Sequence, residues 1–393
     1  MTVLTALILA PLILLTFCFA VEVFTGLRPL QLPEIGPPKA GSAVIVVPAH
    51  DEAAFLQGRL AALARAAQDQ AHILLVADNC SDNTADIARN AGVETIVRSD
   101  PDHRGKGFAL DFARRHLEAR PPKVVIIIDA DCTIDSTSLG KLIARCAGSG
   151  DPQQATNLQA PTPAASPPVQ LSTFAFYVKN VIRQRALQRI AGRVNLLGTG
   201  MALPWEAFAG AELATANIVE DLKLGQELAE AGHAPRFAED ATVWSSAESD
   251  SGTLSQRGRW EGGFLHNALH VAPESLLRGV GRLDGRRVWA AINLMIPPFA
   301  LLIVLDLIAL IAVAMIMWLT GADKWPMLLL AASLVAAGAG LFLAWASGGH
   351  RFVSAGSLAQ APLYLLWKLP MYIGFARRGA PKEWVRTQRE ERG

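Results

Sequence analysis

Residues 124–128 read Val-Val-Ile-Ile-Ile and run straight into Asp129 and Asp131. A short run that is apolar throughout has the pattern of a strand buried on both faces. In open α/β sheets, ligands gather beyond the carboxyl ends of such strands. Side chains alternate along an extended chain, so a spacing of two sets both carboxylates on one side. There they can share a divalent cation, since Mg²⁺ takes about one or two carboxylates together with substrate phosphates. An Asp-x-Asp by itself is common in surface loops; the buried strand before it gives this one meaning. The expectation is Mg²⁺ or Mn²⁺ held by Asp131 and Asp129.

Two earlier apolar runs end in the same kind of chemistry. Pro48, His50, Asp51 and Glu52 follow residues 44–47, and Asp78, Cys80 and Asp82 follow residues 73–76. A rim of carboxylates can accept from base N–H groups and ribose hydroxyls. For a single residue on it, an Asx turn or helix cap is the competing role, and Asp82, just before a helix starting near Thr84, fits a cap. Residues 104–107, Arg-Gly-Lys-Gly, open another helix, where backbone N–H groups and the dipole favour phosphate. Lys106 adds a point charge, and Gly105 and Gly107 let the backbone approach a ligand. His50, His103 and His233 lie beside these motifs without forming a ligand set.

The elements that position these residues follow from periodicity. Residues 44–47, 73–76, 95–97 and 124–128 are too short for helices and rich in β-branched types; residues 53–68, 84–91 and 106–118 read as helices between them. That alternation predicts βαβ units, a Rossmann-like and mostly parallel sheet. No Gly-x-Gly-x-x-Gly accompanies it, which weakens a dinucleotide-dehydrogenase reading. Residues 151–168 read mostly as a loop, with one short strand near 155–158. Residues 171–189 form a basic amphipathic helix, predicted either to touch acidic lipid headgroups or to present a solvated face.

The order of motifs resembles the membrane-bound family-two glycosyltransferases, the inverting GT-A enzymes that include cellulose, hyaluronan and exopolysaccharide synthases. The resemblance spans residues 43–263. Pro48 and Glu52 match the opening Pro-x-x-Asn-Glu, with Asp51 in place of Asn, and Asp78 stands in an acidic pair whose first member is Ala77. Gly-Lys-Gly-x-Ala-Leu is complete at residues 105–110, and Asp129 and Asp131 match the Asp-x-Asp. Val219, Glu220 and Asp221 are similar to Thr-Glu-Asp, and Gln256, Arg259 and Trp260 fill Gln-x-x-Arg-Trp. The resemblance implies donor binding by Pro48, Glu52, Asp78, Lys106, Asp129 and Asp131, with Glu220 and Asp221 in the catalytic pair. It makes Asp221 the general base, and Gln256, Arg259 and Trp260 the acceptor and diphosphate side. Gly198 and Gly200, in residues 195–201, lie where the family places an acceptor loop. A carboxylate base suits an attacking hydroxyl, and cationic groups suit the departing diphosphate.

Long apolar runs occupy residues 3–21, 289–319 and 325–346. About 20 apolar residues cross a bilayer as a helix. No basic residue precedes the first run whereas Arg28 and Lys39 follow it, which favours an anchor over a cleaved signal and a cytosolic catalytic domain. The expected layout is an anchor at 1–27, a GT-A domain at 28–287, two spans at 288–350, and an interfacial segment with a basic tail at 351–393. Residues 354–375, interrupted by Lys368 and followed by Arg377 and Arg378, read as lying along the membrane face in preference to a fourth span. The predicted setting is the inner (plasma) membrane, multi-pass.

A net charge of +1 argues against a nucleic-acid partner, and the four cysteines form no metal-ligand spacing. The expected partners are a nucleotide-diphosphate sugar and a lipid-linked or glycan acceptor. Three spans make a poor secretion channel, so single additions are favoured over a processive synthase. A lipid glucosyltransferase and a non-catalytic nucleotide sensor stand as further alternatives.

Overall fold

The computed structural model describes residues 2–36, 43–215, 219–245 and 250–378. Its strands are β1 Ala43–Ala49, β2 Ala71–Asp78, β3 Glu94–Arg98, β4 Val124–Ile127, β5 Cys132–Ile134, β6 Gln153–Gln159, β7 Met201–Pro204 and β8 Arg236–Ser245. The first helices are α1 Thr2–Gly26, α2 Ala53–Ala67, α3 Thr84–Asn90, α4 Lys106–Leu117, α5 Ser136–Ser149 and α6 Pro167–Tyr177. A π-helical turn at Val178–Ile182 leads into α7 Arg183–Ala191, followed by α8 Trp205–Ala209, α9 Glu220–Glu230, α10 Asp250–His270, α11 Ala272–Gly281 and α12 Gly285–Met295. The chain continues through α13 Phe299–Thr320, α14 Trp325–Ser347, α15 Ala355–Leu358 and α16 Ala361–Arg378.

The strands form one sheet in the order β3, β2, β1, β4, β7, β6, β8, β5. The first four are parallel, as the alternation of runs and helices predicts; β7 is antiparallel to β4 and β6. Along β1, Val44 and Val46 face one side with α4, α8 and α9, while Ile45 and Val47 face the other with α2 and α5. Period-two alternation therefore feeds two cores from one strand. The order of strands reverses between β1 and β4, which puts a crevice at their carboxyl ends.

Two sequence expectations change. Residues 153–159 are a fully buried strand, β6, and not mostly loop. Its Gln and Thr side chains hid it, because they spend their polarity on hydrogen bonds: Gln154 reaches the loop before β7 and Thr156 donates to the Glu239 carbonyl. The arginines of the basic helix spend their donors within the protein, although Lys179 and Arg189 remain exposed. Arg183 bonds Glu22 at 2.6 Å, Arg185 bonds Glu239, and Arg189 donates to the carbonyls of Thr25, Arg28 and Pro29. These arginines fasten α1 to α7 and β8.

Among the described residues, three helices are long and apolar enough to cross a membrane: α1, α13 and α14. The apolar run beginning at residue 289 is divided, because Pro297 and Pro298 lack N–H donors and end α12 before α13 begins. Helix α1 packs on α14, where a Cβ on Gly340 would come within 3.1 Å of Val23. Small residues permit that approach in lipid. Three residues further along α1, Gly26 touches the π turn so closely that a Cβ would lie 1.9 Å from the Ile182 carbonyl oxygen. The basic tail beyond residue 378, including residues 384–389, lies outside the described residues.

Glu22, wholly buried in α1, accepts from Arg183 and, at 2.7 Å, from Asn293. Removing one partner of a buried ion pair costs about 3–5 kcal/mol. Glu22→Ala should lower the unfolding free energy by that amount in detergent denaturation, and adding Arg183→Met should recover part of the loss.

Candidate active site

The four parallel strands deliver their terminal residues to one rim. Pro48 lies in register with Val76, and Asp78 with Arg98. Asp78 is held by Arg98 at 2.7 Å, a partner the sequence does not announce because only the β2–β3 register aligns the two. Burial raises the Asp78 pKa although Arg98 pulls the other way. Arg98 also bonds Asp100 at 2.9 Å, and His50 Nδ1 lies 2.7 Å from the Asp78 carbonyl oxygen.

The turn after β1 is built by its neighbour. Asp51, at φ +52°, accepts from the Ser81 and Asp82 N–H groups at 2.6 and 3.2 Å. Asp82 in turn accepts from the Ala53 and Thr84 N–H groups, so it ties the starts of α2 and α3 although the cap positions themselves are Glu52 and Asn83. The Glu52 N–H donates to Thr84 Oγ1 at 2.8 Å, which fixes where this carboxylate leaves the rim.

At the centre, Lys106 opens α4 and bonds Asp129 and the Gly198 carbonyl oxygen, the latter at 2.7 Å. Its approach depends on Gly107, where a Cβ would fall 2.4 Å from the Leu213 carbonyl oxygen and 2.8 Å from that of Thr215. Partial burial alone would pull Lys106 down; the charges of Asp129, Glu220 and Asp221 outweigh it and hold the ammonium above its ordinary value. Glu220 and Asp221 occupy the first turn of α9, where the helix dipole favours carboxylates. Desolvation and then the Asp221 charge push Glu220 up to about 8, against the pull of Lys106. Desolvation also raises Asp221, opposed by Lys106 and by the Leu222 N–H, 2.9 Å away. The pair therefore retains a proton near neutrality.

Residues 195–200 close this centre. Gly198, at φ +85°, sits where a Cβ would lie 3.3 Å from Asp221 Oδ2 and 3.7 Å from Lys106 Nζ. Thr199 Oγ1 accepts the Asp129 N–H, and the Gly200 N–H donates to the Ile127 carbonyl. Gly200, at φ +66°, has no room for a side chain against Val243. Gln154 holds the loop from below through the Leu197 N–H and the Thr199 carbonyl, and Gln184 accepts the Asn195 N–H at 3.0 Å. Sequence reasoning passed over Arg98, Gln154, Gln184 and Thr199; only polar residues within an otherwise strand-like run hinted at Gln154.

Asp129, Asp131 and Cys132 bring ligand atoms within 4.8 Å of one another. Burial, then Asp131 and Asp129, raise the Cys132 thiol well above its usual value, so it stays protonated and offers a hard cation little. Two carboxylates remain, a donor set that fits Mg²⁺ or Mn²⁺ completed by phosphate oxygens. A second cluster, Asp51, Cys80 and Asp82, has its two carboxylates already engaged in the turns described above. Gln256, Arg259 and Trp260 fall on α10, but their side chains lie outside the described residues. The same helix sets Phe264 against Val219 and Leu222, so α10 passes beside the start of α9.

The family model described as "Glycosyltransferase like family 2" matches residues 38–263. Among solved structures, the mannosyltransferase PcManGT from Pyrobaculum calidifontis, in complex with GDP-Man and Mn²⁺, is similar over 96% of this chain and 99% of its own, at TM-score 0.54 and 15% identity. That likeness shows a shared fold, a GT-A α/β domain joined to apolar helices. Glucosyl-3-phosphoglycerate synthase from Mycobacterium tuberculosis, in complex with Mn²⁺, UDP and phosphoglyceric acid, aligns with 52% of this chain and 70% of its own at TM-score 0.35 and 16% identity. Comparison with curated protein sequences gives no match. With more than half of its length covered by the family model, and the acidic strand ends and the Lys106 centre inside the matched span, the chain belongs to the glycosyltransferase-like family 2.

Proposed function

We propose that the protein transfers a sugar, with inversion, from a nucleotide-diphosphate sugar to a hydroxyl of a lipid-linked or polysaccharide acceptor at the inner face of the plasma membrane. Synthesis of exopolysaccharide or cell-envelope glycan is the setting this chemistry suits. One observation carries the reading: a single ammonium, Lys106, gathers Asp129, Glu220 and Asp221 at the sheet's carboxyl edge. That arrangement holds a base and a phosphate-binding edge side by side.

In this reading the nucleoside lies along the rim of Pro48, Glu52 and Asp78, with Arg98 fixing the Asp78 carboxylate. Asp131 and Asp129 face the diphosphate, and a divalent cation bound by them supplies positive charge to the leaving group. Asp221 takes the proton from the acceptor hydroxyl as the oxygen attacks the anomeric carbon and the bond to the diphosphate breaks. Gly198 keeps the space beside Asp221 open, because any side chain there would crowd the carboxylate. Gln256, Arg259 and Trp260 are assigned to the acceptor and diphosphate side on the motif alone. The anchor, catalytic, two-span and interfacial divisions at residues 1–27, 28–287, 288–350 and 351–393 form part of the same proposal. Single additions are preferred to processive synthesis because, among the described residues, only three helices are long and apolar enough to span a membrane, a small number from which to build a secretion channel.

Purified full-length protein in detergent, offered a panel of nucleotide sugars with Mg²⁺ or Mn²⁺, should release nucleoside diphosphate with one of them, and EDTA should abolish the release. Silence with every donor would remove the enzyme reading. Asp221→Asn should lower kcat by about 10²- to 10⁴-fold, the usual worth of a general base, while the donor Kd stays near wild type. Tolerance of that substitution would point to a nucleotide sensor.

The pH profile follows from the same pair. The base exists once the pair has lost its last proton, and Glu220 is pushed up to about 8. Thus kcat/KM should climb about tenfold per pH unit toward that value and level off above it. Glu220→Gln removes the like charge beside Asp221, so the limb should move to lower pH; an unmoved limb would take the base role away from Asp221.

A further inference from the structure

Lys368 interrupts the apolar run at residues 354–375, and it does so to meet a carboxylate. Its ammonium bonds Glu261 on α10, and the hydroxyl of Tyr372, one turn further along α16, donates to the other oxygen of that carboxylate at 3.0 Å. Glu261 and Lys368 are both buried. The ammonium also stands 5.4 and 5.8 Å from the ring centres of Tyr364 and Tyr372, so the cation has two aromatic neighbours besides its counter-charge. Three residues before Glu261, a Cβ on Gly258 would lie 3.8 Å from the Met371 sulfur. Positions 258 and 261 share a face of α10, and positions 368, 371 and 372 share a face of α16. The two faces meet. Gly258 lies inside the Gln256–Trp260 motif, and Glu261 follows it directly. One turn on, Phe264 packs with Val219 and Leu222, which flank Glu220 and Asp221. Helix α10 is therefore held on one stretch by α16 and on the next by the start of α9.

The two kinds of contact differ in what they fix. Carbon contacts are non-directional, so the Phe264 cluster on its own lets α10 slide or turn at little cost. A carboxylate with both oxygens engaged does not. Glu261 and Lys368 lie on the wall of a cavity of about 590 Å³ between α1, α6, α13, α14 and α16, where Lys179 and Arg183 are the other charged groups and most of the remaining lining is carbon. Such surroundings strengthen the attraction and penalise either charge left alone. A well-packed apolar pair of similar volume would be as stable or more so. What the ion pair adds is a fixed register, the best-attested use of buried charge.

We propose that α16 is a clasp that positions the Gln256–Trp260 helix for the transfer, with Lys368 as the positioning residue and Met371 and Tyr372 as its supports. The proposal rests on the transferase reading. It makes a residue 107 positions beyond Glu261 part of the framework of the reaction centre. In this role Lys368 acts through Glu261 and the placement of α10 beside Asp221, not by touching a substrate. The donor rim stands on β1 and β2, outside the clasp, so loss of the pair bears on turnover and not on donor binding.

Two full-length variants in detergent separate positioning from plain support. Lys368→Met leaves the Glu261 carboxylate uncompensated and should lower the melting temperature, with kcat down about 10- to 100-fold and the Kd of the released nucleoside diphosphate within about twofold of wild type. Adding Glu261→Met replaces the pair by carbon of similar volume. The melting temperature should then recover, while kcat stays about tenfold or more below wild type, because packing is restored and register is not. Recovery of kcat together with the melting temperature would reduce the pair to support and overturn the proposal. Hydrogen exchange reads the clasp without turnover: in Lys368→Met the amides of α10 should exchange about tenfold or more faster, with those of β1 and β2 unchanged. Unaltered exchange in α10 would overturn it equally. The two ideas thus fail separately. A wild type that releases no nucleoside diphosphate from any donor sinks the transferase reading, whereas one that turns over with a kcat indifferent to Lys368→Met sinks the clasp.

Discussion

Lys106 sits part-buried among Asp129, Glu220 and Asp221, and most of the site's geometry is what that charge cluster requires. Charges removed from water must be matched closely, since removing either partner of a buried pair leaves the other uncompensated. The close approach of α4 to residues 213–215 makes position 107 a glycine, and the approach of the 195–200 loop to the ammonium and Asp221 makes position 198 another. Three carboxylates around one ammonium leave an excess of negative charge. The proton retained by the Glu220 and Asp221 pair relieves part of it. The remainder is what a divalent cation on Asp129 and Asp131 would balance.

A second set of buried polar contacts ties this centre to the apolar helix α1. Glu22 in α1 accepts from Arg183 and Asn293; Asn293 accepts from Asn195; and Asn195 bonds Gln184 at the start of the Gly198 loop. Every member has a partner, which is the condition for a polar string to rigidify a core and not weaken it. Its consequence is registry: the position of α1 and that of the Gly198 loop are set together. Arg185 and Arg189 add fastenings on the other side of α7. The sheet-bearing half is therefore held against the apolar helices in a fixed position.

Periodicity carried the parallel half of the sheet, because β1, β2 and β4 are apolar throughout and bounded by turn residues. It failed at β6. Gln153, Gln154, Thr156, Asn157 and Gln159 are buried there, and their hydrogen bonds to loops and neighbouring strands cannot be anticipated from a pattern that counts apolar residues. The basic helix misled for a related reason. A row of arginines reads as a solvated or lipid-facing surface until Glu22, Glu239 and the carbonyls at the end of α1 are brought against it.

The sequence by itself determined the strand ends, the acidic residues on them, the Gly-Lys-Gly turn and the three apolar runs, since each depends on local pattern. It also ordered the motifs well enough to suggest the family to which the chain belongs. Tertiary structure alone decided which of those residues meet. Lys106, Asp129, Gly198 and Asp221 are separated by up to 115 positions and converge only because β4 ends, and α4, β7 and α9 begin, at one edge. The pairing of Asp78 with Arg98, the raised pKa of Glu220 beside Asp221, and the cavity among the apolar helices arise from distance, burial and register, which no single stretch of chain encodes.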